Sequence, residues 1–139
     1  MPNTAMVLRQ SMTFIVEANG TAVEATRLFS HLGSVFTIPE RLLPGATALA
    51  SCGIAYAMRY VRAATEGGVE LGFKASEAQA IIAQTLKGAV ALLGVEGAHP
   101  ETEIDKVTTP GGLTIRGLNA MEHNGFTSAV IAGLKASLK

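Results

Sequence analysis

"LLPGATALASCGIAYAM", residues 42–58, is the longest stretch without a charge, and its reading decides the fold. It has 17 residues, includes Pro44 and Gly45, and is otherwise rich in Ala, Ser, Thr and Gly. A bilayer-spanning helix needs about 20 strongly apolar residues, which this stretch does not supply. Small residues such as Ala50, Ser51, Cys52 and Gly53 instead let a second backbone approach closely. The stretch therefore reads as a buried interface helix. It is predicted as one long helix from Ala46 to Thr65, polar only towards its C-terminal end at Arg59, Arg62 and Glu66.

The whole chain supports that choice. Its 139 residues suit one domain, or one domain plus a fragment of another. Apolar residues make up 48% and charged residues 16%, against a usual charged share of about 25%. With a mean hydropathy of +0.33, there is more apolar surface than a monomer this small readily buries, which points either to a membrane or to a large subunit interface, and the 42–58 stretch favours the interface. Eleven basic residues balance eleven acidic ones, so the basic face of a nucleic-acid binder is missing. A single cysteine, Cys52, excludes an intrachain disulfide and a multi-cysteine zinc site. The N-terminus has no basic region leading into an apolar core, so no signal peptide is expected and cytoplasm is the default compartment.

Upstream of the long helix the character changes. "SMTFIV" (11–16) and "SVFTIP" (34–39) read as short strands. Between them "TAVEATRLFSHLG" (21–33) has Val23, Leu28 and Leu32 on a helical period and a glycine stop at Gly33. Two strands and a helix are marginal alone, so the chain reads as beginning partway through an α/β unit. Downstream, "GGVELG" (67–72) reads as either a short helix or a loop. Ser76, with Gln79 three residues on, is a capping box for a helix whose Ile81, Ile82, Leu86, Ala89, Val90 and Leu93 form one face. His99-Pro100 opens a short helix with Glu101 and Glu103 at the favourable end of its dipole. Residues 113–123 form another that stops at Asn124-Gly125, and Thr127 caps the last.

"VTTPGGLTIRG" (107–117) interrupts these helices. Its glycines leave backbone amides open at a helix N-terminus, where unpaired N–H groups and the dipole attract anions. Thr109 and Thr114 flank them with hydroxyls, so a carboxylate or phosphate would fit. An ordinary Pro-Gly turn explains the same residues. Other candidates have plain structural readings. His31 and His123 suit helix C-termini, His99 a helix entry, Cys52 a buried thiol, and Tyr56 a ring with its hydroxyl at an interface edge. Glu96, Glu101, Glu103 and Asp105 read as a solvated acidic face. No metal-ligand spacing, G-x-G-x-x-G, Walker A or G-x-S-x-G occurs in these residues.

Four stretches together resemble the pyrroline-5-carboxylate reductase family: "MPNTA" (1–5), "TALASCGIAY" (47–56), "HPETEIDKVTTPGGLTIRGL" (99–118) and "EHNGFTSAVIAGLKAS" (122–137). Those enzymes make proline by NADPH- or NADH-dependent reduction of a cyclic imine. The resemblance implies a mainly α fold. Residues 1–39 would be the β-α-β remnant of a Rossmann nucleotide-binding domain, and 40–139 a helical dimerisation and substrate-binding domain that interlocks with a second copy. It implies that the amides of Gly111, Gly112 and Leu113 bind the substrate carboxylate, assisted by Thr109. Thr114 would take the catalytic place at the ring nitrogen, and Asn3 would lie at the nicotinamide end of the cofactor. These residues alone are not expected to hold the cofactor tightly or to turn over substrate. The expected partners are a second copy and a small carboxylate, imine or proline, with no nucleic acid and no membrane. Two departures stand out. Ala50-Ser51-Cys52-Gly53-Ile54-Ala55-Tyr56 replaces the family's usual Ser-Gly-Ser-Gly-Pro-Ala-Tyr, and Leu113 stands where Thr or Ala is usual. A non-catalytic helical dimer that binds a small carboxylate, or only assembles, is the alternative.

Overall fold

The structure, a computed structural model, describes residues 1–17 and 22–138. Thr21, the first residue of the predicted 21–33 helix, lies outside them. The fold is mainly helical after a short β-α-β unit: β1 (Ser11–Val16), α1 (Ala22–Phe29) and β2 (Gly33–Ile38). The strands pair in parallel, from Ser11 opposite Gly33 to Val16 opposite Ile38. In β1 alternate side chains, those of Ser11, Thr13 and Ile15, are buried. Two of these are polar, and they are satisfied locally. The Ser11 and Thr13 hydroxyls share a hydrogen bond of 3.2 Å, and Ser11 Oγ accepts the Asn3 N–H at 3.2 Å.

The 34–39 strand starts one residue earlier than read, because Gly33 itself enters the sheet with φ +139. A Cβ there would lie 2.1 Å from the Ser11 carbonyl oxygen, so only glycine fits.

The central helix departs from its sequence reading at both ends and in the middle. It is helical from Leu43, with Pro44 in the first turn where its missing N–H is harmless. The segments are α2 (Leu43–Ala46), a π-helical stretch (Thr47–Cys52) and α3 (Gly53–Glu70). Gly67 and Gly68 neither form a separate helix nor a loop. They belong to the end of α3, and the chain turns only at Leu71-Gly72, where Gly72 has φ +98. The structure supplies the reason: Gly68 lies so close to Ala78 of the next helix that a Cβ would come 2.7 Å from the alanine methyl.

That next helix, α4 (Ala75–Leu93), is capped two residues earlier than the Ser76–Gln79 box. Its N-cap is Lys74, whose N–H is accepted by Glu77 Oε2 at 3.2 Å, and Ser76 sits inside the first turn. α5 (Pro100–Lys106) follows the reading, with His99 Nδ1 accepting the Glu101 N–H at 3.3 Å. α6 (Leu113–His123) ends before Gly125 at φ +79. α7 (Phe126–Ala136) starts one residue ahead of Thr127, which does not cap it. The Gly125 carbonyl accepts the Ala129 N–H at 2.8 Å, and Thr127 Oγ1 donates to Glu122 Oε2 at 2.8 Å.

Compactness divides the chain elsewhere than the change of sequence character at residues 39/40. One unit is Met1–Met58 with Ile131–Lys139, and the other is Arg59–Val130. In the first, the Tyr56 hydroxyl donates to the Gly133 carbonyl at 3.3 Å and meets the Ser137 hydroxyl. In the second, Ala78 is the one buried residue among those described. Leu92, Leu93, Val107, Val90 and Ile81 are all substantially exposed, so its helices have apolar faces with nothing over them. No helix among the described residues is long and apolar enough to cross a membrane.

Candidate functional site

The 107–114 loop is built by two terminations in succession. α5 ends as the Thr108 hydroxyl donates back to the Ile104 carbonyl at 2.7 Å and the Thr108 N–H to the Asp105 carbonyl at 3.1 Å. A four-residue turn follows, Thr109-Pro110-Gly111-Gly112, closed by the Gly112 N–H donating to the Thr109 carbonyl at 2.9 Å. Pro110 presets φ at the second position and Gly111 takes φ +67 at the third, the type II arrangement.

Gly112 is then the N-cap of α6, at φ −68 and ψ 173, and it has no side chain with which to cap. The helix's first N–H groups, from Leu113 onward, therefore face outward without a side-chain acceptor. Thr109 lies against Gly112: a Cβ on Gly112 would come 2.5 Å from Thr109 Oγ1 and 3.0 Å from the Thr109 carbonyl oxygen. At Gly111 a Cβ would meet nothing within 4 Å, so that face of the turn is open. Leu113 is 84% exposed and Thr114 is exposed.

The structure thus gathers Thr109, Gly111, Gly112, Leu113 and Thr114 into one cradle at a helix N-terminus, but with unequal parts. Gly112 differs from its expected role: its N–H closes the turn, and its contribution is the absence of a side chain. The amides left open are those of Gly111 and of the first turn of α6. Such a cradle suits a small anion with two acceptor oxygens.

Asn3 belongs to the first unit. It caps a 3-10 turn, Thr4–Leu8, by accepting the Ala5 N–H on Oδ1 at 3.1 Å. Its Nδ2 donates to the Ala50 carbonyl, in the π-helical stretch, at 3.2 Å. Asn3 also lines a cavity of about 410 Å³ with Met12, Phe14, Phe36, Leu49, Ala50, Gly53 and Ile54. Phe14 and Phe36 are opposite each other in the parallel pair. Sequence reasoning did not find this cavity. The signal available was the alternation in β1, which sends Met12 and Phe14 to the face away from Ser11, Thr13 and Ile15.

The remaining candidates stay structural. Cys52 is half-buried in the π-helical stretch. Of the acidic residues, Glu103 pairs with Lys106 at 2.6 Å on the surface of α5. Among the described residues no group of three or more His, Cys, Asp or Glu is placed to hold a metal ion.

Comparison with known proteins identifies the family. Residues 40–139 match the family model for pyrroline-5-carboxylate reductase dimerisation. The chain is 44% identical to pyrroline-5-carboxylate reductase 2 of Dictyostelium discoideum, a match covering 99% of this chain and 51% of that protein. It is 47% identical to pyrroline-5-carboxylate reductase 1 of the same organism, covering 99% of this chain and 28% of that one. The chain therefore spans about half the length of the first of these relatives, and less of the second. Among solved structures, the pyrroline carboxylate reductase of Plasmodium falciparum with NADP bound superposes with a TM-score of 0.92 at 26% identity, over 99% of this chain and 57% of that one. The Streptococcus pyogenes 1-pyrroline-5-carboxylate reductase gives 0.92 at 28% identity, over 99% and 55%. The chain belongs to the pyrroline-5-carboxylate reductase family, through the match of residues 40–139 to its dimerisation model.

Proposed function

We propose that these residues are the dimerisation and substrate-carboxylate half of an NADPH- or NADH-dependent reductase that converts 1-pyrroline-5-carboxylate to L-proline. The observation that carries this reading is the cradle at the start of α6, within a domain of that family. The amides of Gly111 and Leu113, with the Thr109 hydroxyl, hold the substrate carboxylate. Gly112 lets Thr109 lie against the turn, because a Cβ there would come 2.5 Å from Thr109 Oγ1, and Gly111, whose Cβ would meet nothing within 4 Å, leaves the approach open. Thr114, one residue into the helix, hydrogen-bonds the ring nitrogen and fixes the C=N bond in one orientation. A nitrogen held in its protonated form makes the neighbouring carbon electrophilic, so orientation and electrostatics are the chain's contribution.

When bound, the reduced nicotinamide supplies the hydride. The residues present fit only one end of such a dinucleotide. Asn3 and the apolar walls around Phe14 and Phe36 accommodate a flat ring, whereas no G-x-G-x-x-G follows β1 or β2 to cradle phosphates. Residues 1–39 are accordingly read as part of a nucleotide-binding domain and 40–139 as the dimerisation and substrate domain. On their own these residues bind the cofactor weakly and do not turn over substrate. The working assembly is a homodimer or larger homo-oligomer, since the second unit leaves its helices' apolar faces uncovered. It works in the cytoplasm, away from membrane and nucleic acid.

The test is an NMR titration of the chain with L-proline. Shifts confined to the amides of Thr109, Gly111, Leu113 and Thr114 are expected. Unmoved amides at millimolar proline would leave assembly as the whole function. Light scattering at micromolar protomer checks the oligomer, and a monomer there would contradict the assembly reading.

A further inference from the structure

The π-helical stretch Thr47–Cys52 is where a straight α-helix was expected, and π turns occur mostly as single bulges, often at functional sites. Something must hold the extra residue in the turn. Two side-chain contacts from the N-terminus land on this stretch. Asn3 Nδ2 donates to the Ala50 carbonyl at 3.2 Å, and the Thr47 hydroxyl reaches Met1 Sδ at 3.1 Å as well as the Leu43 carbonyl at 2.8 Å. One helical turn beyond, Tyr56 is anchored to Gly133 and Ser137.

Relaxation of the stretch to α geometry would slip the helix by one residue. Everything past it would turn by about 100° and move by about 1.5 Å relative to what precedes it. Tyr56 would swing away from α7. The wall of the 410 Å³ cavity would be broken as well, because Leu49 and Ala50 lie within the stretch and Gly53 and Ile54 lie beyond it.

Asn3 is the polar side chain at that junction. Both ends of its carboxamide are engaged inside the chain, Oδ1 with the Ala5 N–H and Nδ2 with Ala50, so it acts through another residue and not through a free amide. We propose that Asn3 is a positioning residue: through the Ala50 carbonyl it holds residues 47–52 in the π register that aligns the two halves of the cavity wall and places Tyr56 on α7. This goes beyond the functional reading, because it holds whichever ligand the cavity takes.

The test uses Asn3→Ser in the 139-residue chain. Serine is a good N-cap and keeps an acceptor for the Ala5 N–H, but it is too short to reach Ala50. Loss of the one bond is expected to raise amide exchange of residues 50–56 by about three- to tenfold. Exchange in β1 should be unchanged, and the nuclear Overhauser contacts between the Tyr56 ring and Ser137 should weaken relative to those within β1. Cys52, the single thiol, should label faster by a similar factor. Should Asn3→Ser fail to fold, Asn3→Asp carries the same test, since it keeps shape and acceptor and replaces the donor by a charged oxygen that cannot bond the Ala50 carbonyl. Wild-type exchange with the Tyr56 contacts intact would overturn the proposal. So would a rise spread equally over β1 and the helix, which would make Asn3 a general stabiliser.

Discussion

Gly67 and Gly68 are adjacent in one helix, and the structure predicts opposite outcomes when each becomes alanine. In a helix interior alanine is favoured over glycine by about 1 kcal/mol. At Gly67 a Cβ meets nothing within 4 Å, so Gly67→Ala should gain up to about 1 kcal/mol, somewhat less so near the end of α3. At Gly68 the new Cβ would lie 2.7 Å from the Ala78 Cβ. Carbons prefer separations of about 3.5–4.0 Å, so α3 and α4 would have to part by about 1 Å. An alanine methyl cannot rotate out of the way, and overpacking of this kind costs about 1–3 kcal/mol. Gly68→Ala should therefore be net destabilising, about 2 kcal/mol below Gly67→Ala, or roughly 6 °C in Tm for a chain of this size. The assay is a pair of thermal melts at one fixed protomer concentration, because assembly shifts Tm by mass action. A double-mutant cycle with Ala78→Gly sharpens it: removing the opposing methyl should recover most of the Gly68→Ala loss, a coupling of about 1 kcal/mol or more. Equal melting of Gly67→Ala and Gly68→Ala, or a cycle with no coupling, would refute the close approach of the two helices.

Further substitutions probe the other unit and the loop. Gly33→Ala places a Cβ against the Ser11 backbone at φ +139 and should cost more than about 3 kcal/mol, read as a fall in the urea midpoint. Gly111→Ala meets no neighbour, so only its φ of +67 is penalised, by about 1–2 kcal/mol in the same assay. Gly112→Ala drives a methyl into Thr109 and should move the Thr109 amide and methyl resonances, while unmoved resonances would argue against the contact. Thr114 is exposed, so Thr114→Val should leave the Tm unchanged while weakening L-proline binding about fivefold by NMR titration, as loss of one hydrogen bond of about 1 kcal/mol predicts. Thr114→Ser should bind as wild type.

Much of the fold can be read from short-range patterns. β1 is a run of β-rich residues, α5 opens on His-Pro, and α6 stops at Asn-Gly. The candidate loop was legible for the same reason: Pro110 followed by Gly111 restricts the backbone to few conformations. The loop's inner accounting was not legible. Whether the Gly112 amide faces outward or closes the turn depends on where the Thr109 carbonyl points, and both outcomes use the same letters. The cap of α4 was misplaced by a similar ambiguity, since Ser76–Gln79 and Lys74–Glu77 both put an acceptor three residues on, and the structure uses the second.

By itself, then, the sequence determined the class of protein: helices with small-residue faces and excess apolar surface, a β-α-β start, and a glycine turn at a helix N-terminus. Those features follow from forces acting within a few residues along the chain. The tertiary structure decided whatever depends on partners far away in sequence. Asn3 and Ala50 are 47 residues apart, and their bond falls on the helical stretch that turned π instead of α. Tyr56 and Gly133 are 77 apart, and that contact ties α3 to α7. Helix α3 runs on through Gly67 and Gly68, with Gly68 closely opposed to Ala78 on the next helix. Ser11 and Thr13 are buried despite being polar, because each hydroxyl finds the other once the strand is covered.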